Sequence, residues 1–263
     1  MTQDHPPAPV PKRWLYVGIV VFALIVGVLV TLSLVRGGDE SSGAVTDTGA
    51  LTDTTFTDTT ATDTTSTDGT TTSAATVATM YDGFPSDGLT IGKEDAPITI
   101  IEVAEPQCPH CARASETLLP QIVEHLVQAG DVRLQLVPIS FISPVSASDR
   151  AVRAIYAAGE QGRAWPFAHV LYSRQGQEGT DWLTDDVLRG VARDIGLDVE
   201  RFDADRTSSA ADDAATAARQ TAQELNVDST PTFVVRNTTT GRQYVSTENT
   251  FDDIRDAVDR LKG

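Results

Sequence analysis

The only two cysteines of this 263-residue chain lie three positions apart, in Cys108-Pro109-His110-Cys111. A disulfide across so short a loop removes little entropy from the unfolded chain, so a structural staple is a poor use of it. Thiols at this spacing can instead make and break a disulfide. Zinc is the competing reading. A structural zinc needs four ligands, and only Cys108, Cys111 and His110 converge locally. His125 and His169 lie far along the chain and His5 lies before the long apolar run, so no metal and no cofactor beyond the cysteine pair is expected.

The elements that must position the pair are legible around it. Ile98 to Val103 is a short, β-branched apolar run and reads as a buried strand. From Pro109 the spacing becomes helical, with Leu118, Leu119, Ile122, Val123, Leu126 and Val127 on one face and Gly130 as a stop. Pro109 fits a first helical position, where its missing N–H costs nothing. Val132 to Ile139 is a second strand. Helices are then predicted over 147–158, 163–173, 185–195 and 210–225. Two short strands, 232–235 and 243–246, form a hairpin, and a helix over 251–261 closes the chain. The order is strand–helix–strand, helical insertion, strand–strand–helix. It predicts an α/β thioredoxin fold with an inserted helical subdomain. Within the insertion, Trp165, Phe167, Leu171 and Tyr172 recur at helical spacing and read as core. His169 on the same helix reads as a surface or internally satisfied histidine.

The chain before this domain has a different character. Residues 1–13 form a polar arm ending in Lys12 and Arg13, and residues 14–36 carry no charge until Arg36. That run is long enough to cross a hydrocarbon core as one transmembrane helix. It is longer than the apolar part of a cleavable signal peptide, and no small-x-small cleavage site follows. The basic residues before it place the N-terminus in the cytoplasm and the rest of the chain outside. Residues 37–80 repeat a Thr-Asp-Thr-Thr unit. They bury too little apolar surface to fold and read as a disordered, acidic, extended linker, a stalk that composition marks as plain solvated chain rather than as O-glycosylated on threonine. The net charge of −17 divides as +2 over residues 1–36, −7 over 37–80 and −12 over 81–263. Without a basic stripe, nucleic-acid binding is excluded.

Residues from about 88 to 261 resemble the DsbA-like thiol–disulfide oxidoreductases of the thioredoxin superfamily. The resemblance rests on Glu102 six residues before Cys108, the Cys-Pro-His-Cys motif, and Ala157 to Phe167 in an insertion over about 145–226. Asp194 to Asp198 and Val227 to Phe233, which holds Thr230-Pro231-Thr232, complete it. It implies that Cys108 forms the mixed disulfide with clients and that Cys111 resolves it. A helix N-terminus and His110 would stabilise the Cys108 thiolate. Local sequence leaves the Thr230–Pro231 bond open between cis and trans; the resemblance implies cis, with Pro231 facing the cysteines and the Thr230 backbone pairing with a client strand. It also implies that Glu102 is buried and moves protons to and from Cys111. Glu105, in the turn, is expected to be solvated. Relatives carry aromatics before the first cysteine, whereas Glu105-Pro106-Gln107 stands here, so the apolar rim that holds clients is weaker.

The expected activity is extracytoplasmic oxidation of cysteine pairs in exported proteins, with a membrane redox partner restoring the disulfide. A reductase or isomerase fed from inside the cell uses the same residues in reverse. A non-catalytic surface adaptor is a third reading, disfavoured by the intact cysteines and Thr-Pro pair.

Overall fold

The computed structural model describes residues 79–263. The arm 1–13, the apolar span 14–36 and nearly all of the linker 37–80 lie outside the described residues. Among the described residues no helix is long and apolar enough to cross a membrane.

Six strands form one sheet: β1 (Ser86–Asp87), β2 (Thr90–Ile91), β3 (Ile98–Ala104), β4 (Val132–Pro138), β5 (Thr232–Asn237) and β6 (Gln243–Val245). Their spatial order is β1-β2-β4-β3-β5-β6. Central β3 runs parallel to β4, with Glu102 opposite Leu136, and antiparallel to β5, with Glu102 opposite Phe233. All seven β3 residues are buried, as expected of a strand covered on both faces. Alternation along β3 divides two cores. Ile98, Ile100 and Ala104 join the larger core with both cysteines, while Ile101 and Val103 join a smaller one under Ala218, Ala222 and Leu225. Glu102 shares the parity, and so the sheet face, of Ile100 and Ala104.

The helices are α1 (Pro109–Thr117), α2 (Leu119–Ile122), α3 (Val145–Gly159), α4 (Ala164–Ser173), α5 (Asp185–Asp194), α6 (Val199–Arg206), α7 (Ser209–Glu224) and α8 (Phe251–Lys262). The thioredoxin fold is present, and α3–α7 between β4 and β5 are its helical insertion. Three differences from the sequence reading have physical causes. The single helix expected from Pro109 to Val127 breaks after Thr117, because Pro120 has no N–H to give the preceding turn. The chain then widens into a π-helical turn, Val123–Val127, with Gln128 N–H donating to the Val123 carbonyl at 3.0 Å. The β1–β2 hairpin was not expected, since two-residue strands are too short to show alternation. Nor was α6, which carries one buried apolar residue, Phe202.

Polar contacts and one aromatic anchor hold α6. Asp198 caps it by accepting from Arg201 N–H at 3.0 Å. Buried Arg206 pairs with Asp203 at 2.7 Å and with Asp185 of α5 at 2.8 Å. The Phe202 ring, fully buried, lies 5.4 Å from the Phe167 ring of α4. Phe202→Ala should therefore cost about 3–5 kcal/mol through the lost burial and the cavity left behind. Urea unfolding checks this, and a loss under about 1 kcal/mol would mean that α6 closes over the gap.

Trp165, Phe167, Leu171 and Tyr172 are core residues, as their spacing predicts. His169 is internally satisfied: it is buried, with the Tyr81 hydroxyl hydrogen-bonded to its Nδ1 at 3.0 Å. Burial alone pulls its pKa down to about 4, so the ring is neutral in the core.

Candidate active site

Cys108 occupies the N-cap position of α1, and Pro109 follows at the first turn. No side chain caps this helix end, and the His110 and Cys111 backbone N–H groups of its first turn face the cysteine sulfur. Cys108 is almost buried, at 5% exposure, and Cys111, one turn in, is completely buried. Both are free thiols. His110 is on the exposed side, in a cleft of about 340 Å³ that it lines with Thr230, Pro231, Arg113 and Asn249.

The strand start after α7 comes to the same place. The Thr230–Pro231 peptide is cis, and the Thr230 carbonyl lies 3.3 Å from Cys108 Sγ, where it accepts from the protonated thiol. Asn249 Nδ2 donates to the Pro231 carbonyl at 2.9 Å and holds this segment from the other side. The structure thus gathers Cys108, Pro109, His110, Cys111, Thr230 and Pro231 around one sulfur, with Glu102 on the strand behind. A second cis peptide, Ser143–Pro144, precedes α3 and was not anticipated.

The acidities of the two thiols are driven apart. The pKa of Cys108 falls to about 5, chiefly because the Cys111 thiol donates a hydrogen bond to it. Burial opposes this, while the Thr230 side chain and the Cys111 and His110 backbone N–H groups add to it. Burial pushes Cys111 well above its usual value, as do its donation to Cys108 and the neighbouring charge. Glu102 is 1% exposed and its Oε1 has no hydrogen-bond partner, so desolvation lifts its pKa to about 8. A buried acid with a pKa near neutrality can both hold and release a proton.

Glu105 corrects the sequence reading: it is not solvated but completely buried. Its Oε2 accepts from Gln107 N–H at 2.5 Å and its Oε1 accepts from the Ser148 hydroxyl. The turn is covered by the insertion. Gln107 Nε2 donates to Ser148 Oγ of α3 at 3.0 Å, and Tyr172 of α4 donates to the Glu105 carbonyl at 3.2 Å. Gln175, just past α4, donates to the Pro106 and Cys108 carbonyls at 3.2 and 3.1 Å. Tyr172 and Gln175 are spaced one helical turn apart, so both face the loop. No sequence signal marks Gln107, Ser148 or Gln175, since their partners are distant in the chain.

A family model described as Thioredoxin matches residues 86–260. The chain belongs to the thioredoxin family. It is 25% identical over 173 residues to the probable disulfide bond formation protein D of Bacillus cereus, covering 65% of this chain and 77% of that one. Disulfide bond formation protein D of Bacillus subtilis is 23% identical over 184 residues, covering 66% and 77%. The crystal structure of oxidised BdbD from Bacillus subtilis superposes with a TM-score of 0.59 at 23% identity, covering 69% of this chain and 97% of that one. That likeness shows the shared thioredoxin fold. With its cysteine pair at the helix N-terminus, this member of the thioredoxin family is a thiol–disulfide oxidoreductase.

Proposed function

We propose that this enzyme oxidises cysteine pairs of exported proteins through a Cys108–Cys111 disulfide, on the outer side of a membrane that residues 14–36 span. The observation that carries the direction is the opposed acidity of the two thiols. Cys108 is pulled down to about 5 and Cys111 is pushed up. A stabilised thiolate favours the reduced enzyme, and a disulfide whose reduced form is favoured is a strong oxidant.

Each turnover balances. A client thiolate attacks Cys108 Sγ, the Sγ–Sγ bond breaks, and Cys111 leaves and takes a proton from Glu102. A second client thiolate attacks the client sulfur of the mixed disulfide. Cys108 leaves as a stable thiolate, the client gains its disulfide, and the enzyme holds two electrons. The Thr230 backbone and Pro231 line the edge where an extended client strand pairs, and exposed His110 meets the arriving sulfur. A membrane redox partner takes the two electrons and restores the disulfide. The pair needs no other cofactor. The names of the Bacillus relatives, with disulfide bond formation in them, support this direction, and the threonine-rich linker would hold the domain clear of the bilayer.

Alkylation of reduced enzyme across pH tests the reading directly. Cys108 should react with a midpoint near 5 and a plateau above about pH 6, while Cys111 stays silent. A midpoint at the ordinary thiol value of about 8.5 would remove the basis for oxidase chemistry.

A further inference from the structure

Glu105 has no place in the exchange steps, yet it is a second fully buried carboxylate beside the cysteines. Its oxygens are held by neutral donors, the Gln107 N–H, the Ser148 hydroxyl and the Ile142 backbone. The groups around it are neutral or acidic. From α4 comes Tyr172, which lies in the combined field of Glu102, Glu105, Cys108 and Cys111. From α3 comes Ser148; the charged residues that follow it, Asp149 and Arg150, are engaged with Arg219 and Asp181. From α1 come the cysteines themselves. Burial raises the pKa of Glu105, and the Cys108 charge adds to this, while its hydrogen bonds from Ser148, Gln107 and Ile142 pull the other way and no cation among the described residues offsets the carboxylate.

We propose that Glu105 is a positioning residue that acts through its charge. Its carboxylate opposes the Cys108 thiolate and so holds the reduction potential of the pair below the value set by the helix N-terminus alone. The disulfide is uncharged. Reduction by two glutathione thiols forms one glutathione disulfide and delivers two electrons and two protons. One proton stays on Cys111 and the other leaves to solvent, because Cys108 remains a thiolate. Only the reduced state therefore places two like charges in the same water-poor pocket. The hydrogen bonds that favour the Glu105 carboxylate against burial also fix it three residues before Cys108, where its charge and that of the sulfur interact. The inference rests on Cys108–Cys111 being the exchanging pair, though not on the net direction of exchange.

Glu105→Gln tests it with little disturbance: the amide oxygen can accept from Gln107 N–H and the amide nitrogen can donate to Ser148 Oγ. In glutathione redox buffers at pH 7 the variant's equilibrium constant should move toward the reduced enzyme by about tenfold. Its Cys108 alkylation midpoint should fall in step. A residue that merely held the turn would lower stability and leave both readings where they are, and that result overturns the proposal. Ser148→Ala is the second variant. With one donor gone, Glu105 binds a proton more easily, so as the pH is lowered the constant should move toward that of Glu105→Gln sooner than the constant of the unaltered enzyme does. A shift independent of pH also overturns it. An unaltered enzyme that never equilibrated with glutathione would sink the exchange reading, and the alkylation midpoint, which needs no turnover, would still decide the effect of Glu105.

Discussion

Cys108→Ser abolishes catalysed oxidation of a reduced client, a loss of about 10³-fold or more that brings the rate to that of air or buffer oxidation. A serine oxygen forms no disulfide, and the neighbouring thiol cannot take over. Cys111 is completely buried and its pKa is pushed up, so it offers almost no thiolate at neutral pH and no access to a client sulfur. The converse variant behaves differently. In Cys111→Ser the Cys108 thiolate persists and can form a mixed disulfide, but nothing resolves it, so client-bound enzyme accumulates on a non-reducing gel. The same substitutions separate in stability. The folded pKa of Cys108 lies below its unfolded value, so its ionisation stabilises the reduced protein fully above about pH 8.5, and that contribution is lost as pH falls through about 5. Reduced wild-type enzyme should gain on Cys108→Ser steadily between those limits in urea unfolding. Client oxidation by Cys108→Ser at the wild-type rate would end the assignment.

Why the cysteines were legible and their surroundings only in part follows from the range of the contacts. The Cys-Pro-His-Cys helix start and the β3 strand are local patterns, and both stand where periodicity puts them. Phe167 and Trp165 likewise fall in the core of the insertion because helical spacing alone decides which face they share. Glu105 is the opposite case. A glutamate beside a proline in a turn reads as solvated, and only the arrival of Ser148 and Tyr172, 43 and 67 residues later, buries it. Helix α6 was illegible for another reason: its stability comes from ion pairs with α5 and from Phe202, which leave no apolar stripe. Pro120 stands inside the apolar spacing that reads as one helix, and that spacing continues across it. The pattern of Leu119, Ile122 and Val123 reports the shared buried face correctly even though the hydrogen bonding beneath it changes from α to π.

Glu102→Gln should make the protein more stable and a poorer enzyme. At neutral pH the buried carboxyl holds its proton, while in the unfolded chain it would have released it near pH 4.5. The folded pKa, about 8, is thus raised, the folded state binds more protons between about 4.5 and 8, and stability falls as pH rises through that window. The loss runs at about 1.4 kcal/mol per pH unit, or about 3 kcal/mol at pH 7. A glutamine carries no charge to desolvate, and its unpaired amide gives back about 1–2 kcal/mol, leaving a net gain of order 1–2 kcal/mol at pH 7. Urea unfolding at pH 4 and pH 8 checks the sign: the advantage of the variant should be least at pH 4 and greatest at pH 8. Catalysis moves the other way. Glu102 shares the β3 face that meets Cys111, so it can give the leaving sulfur a proton and recover it when the disulfide re-forms. An amide can do neither, and client oxidation should slow by about 10–10²-fold at pH 7. The gap should narrow above pH 8, where wild-type Glu102 has itself lost the proton. If the two enzymes differed by the same factor at pH 6 and pH 9, the carboxyl would be a structural burden on the sheet and not a proton carrier for Cys111.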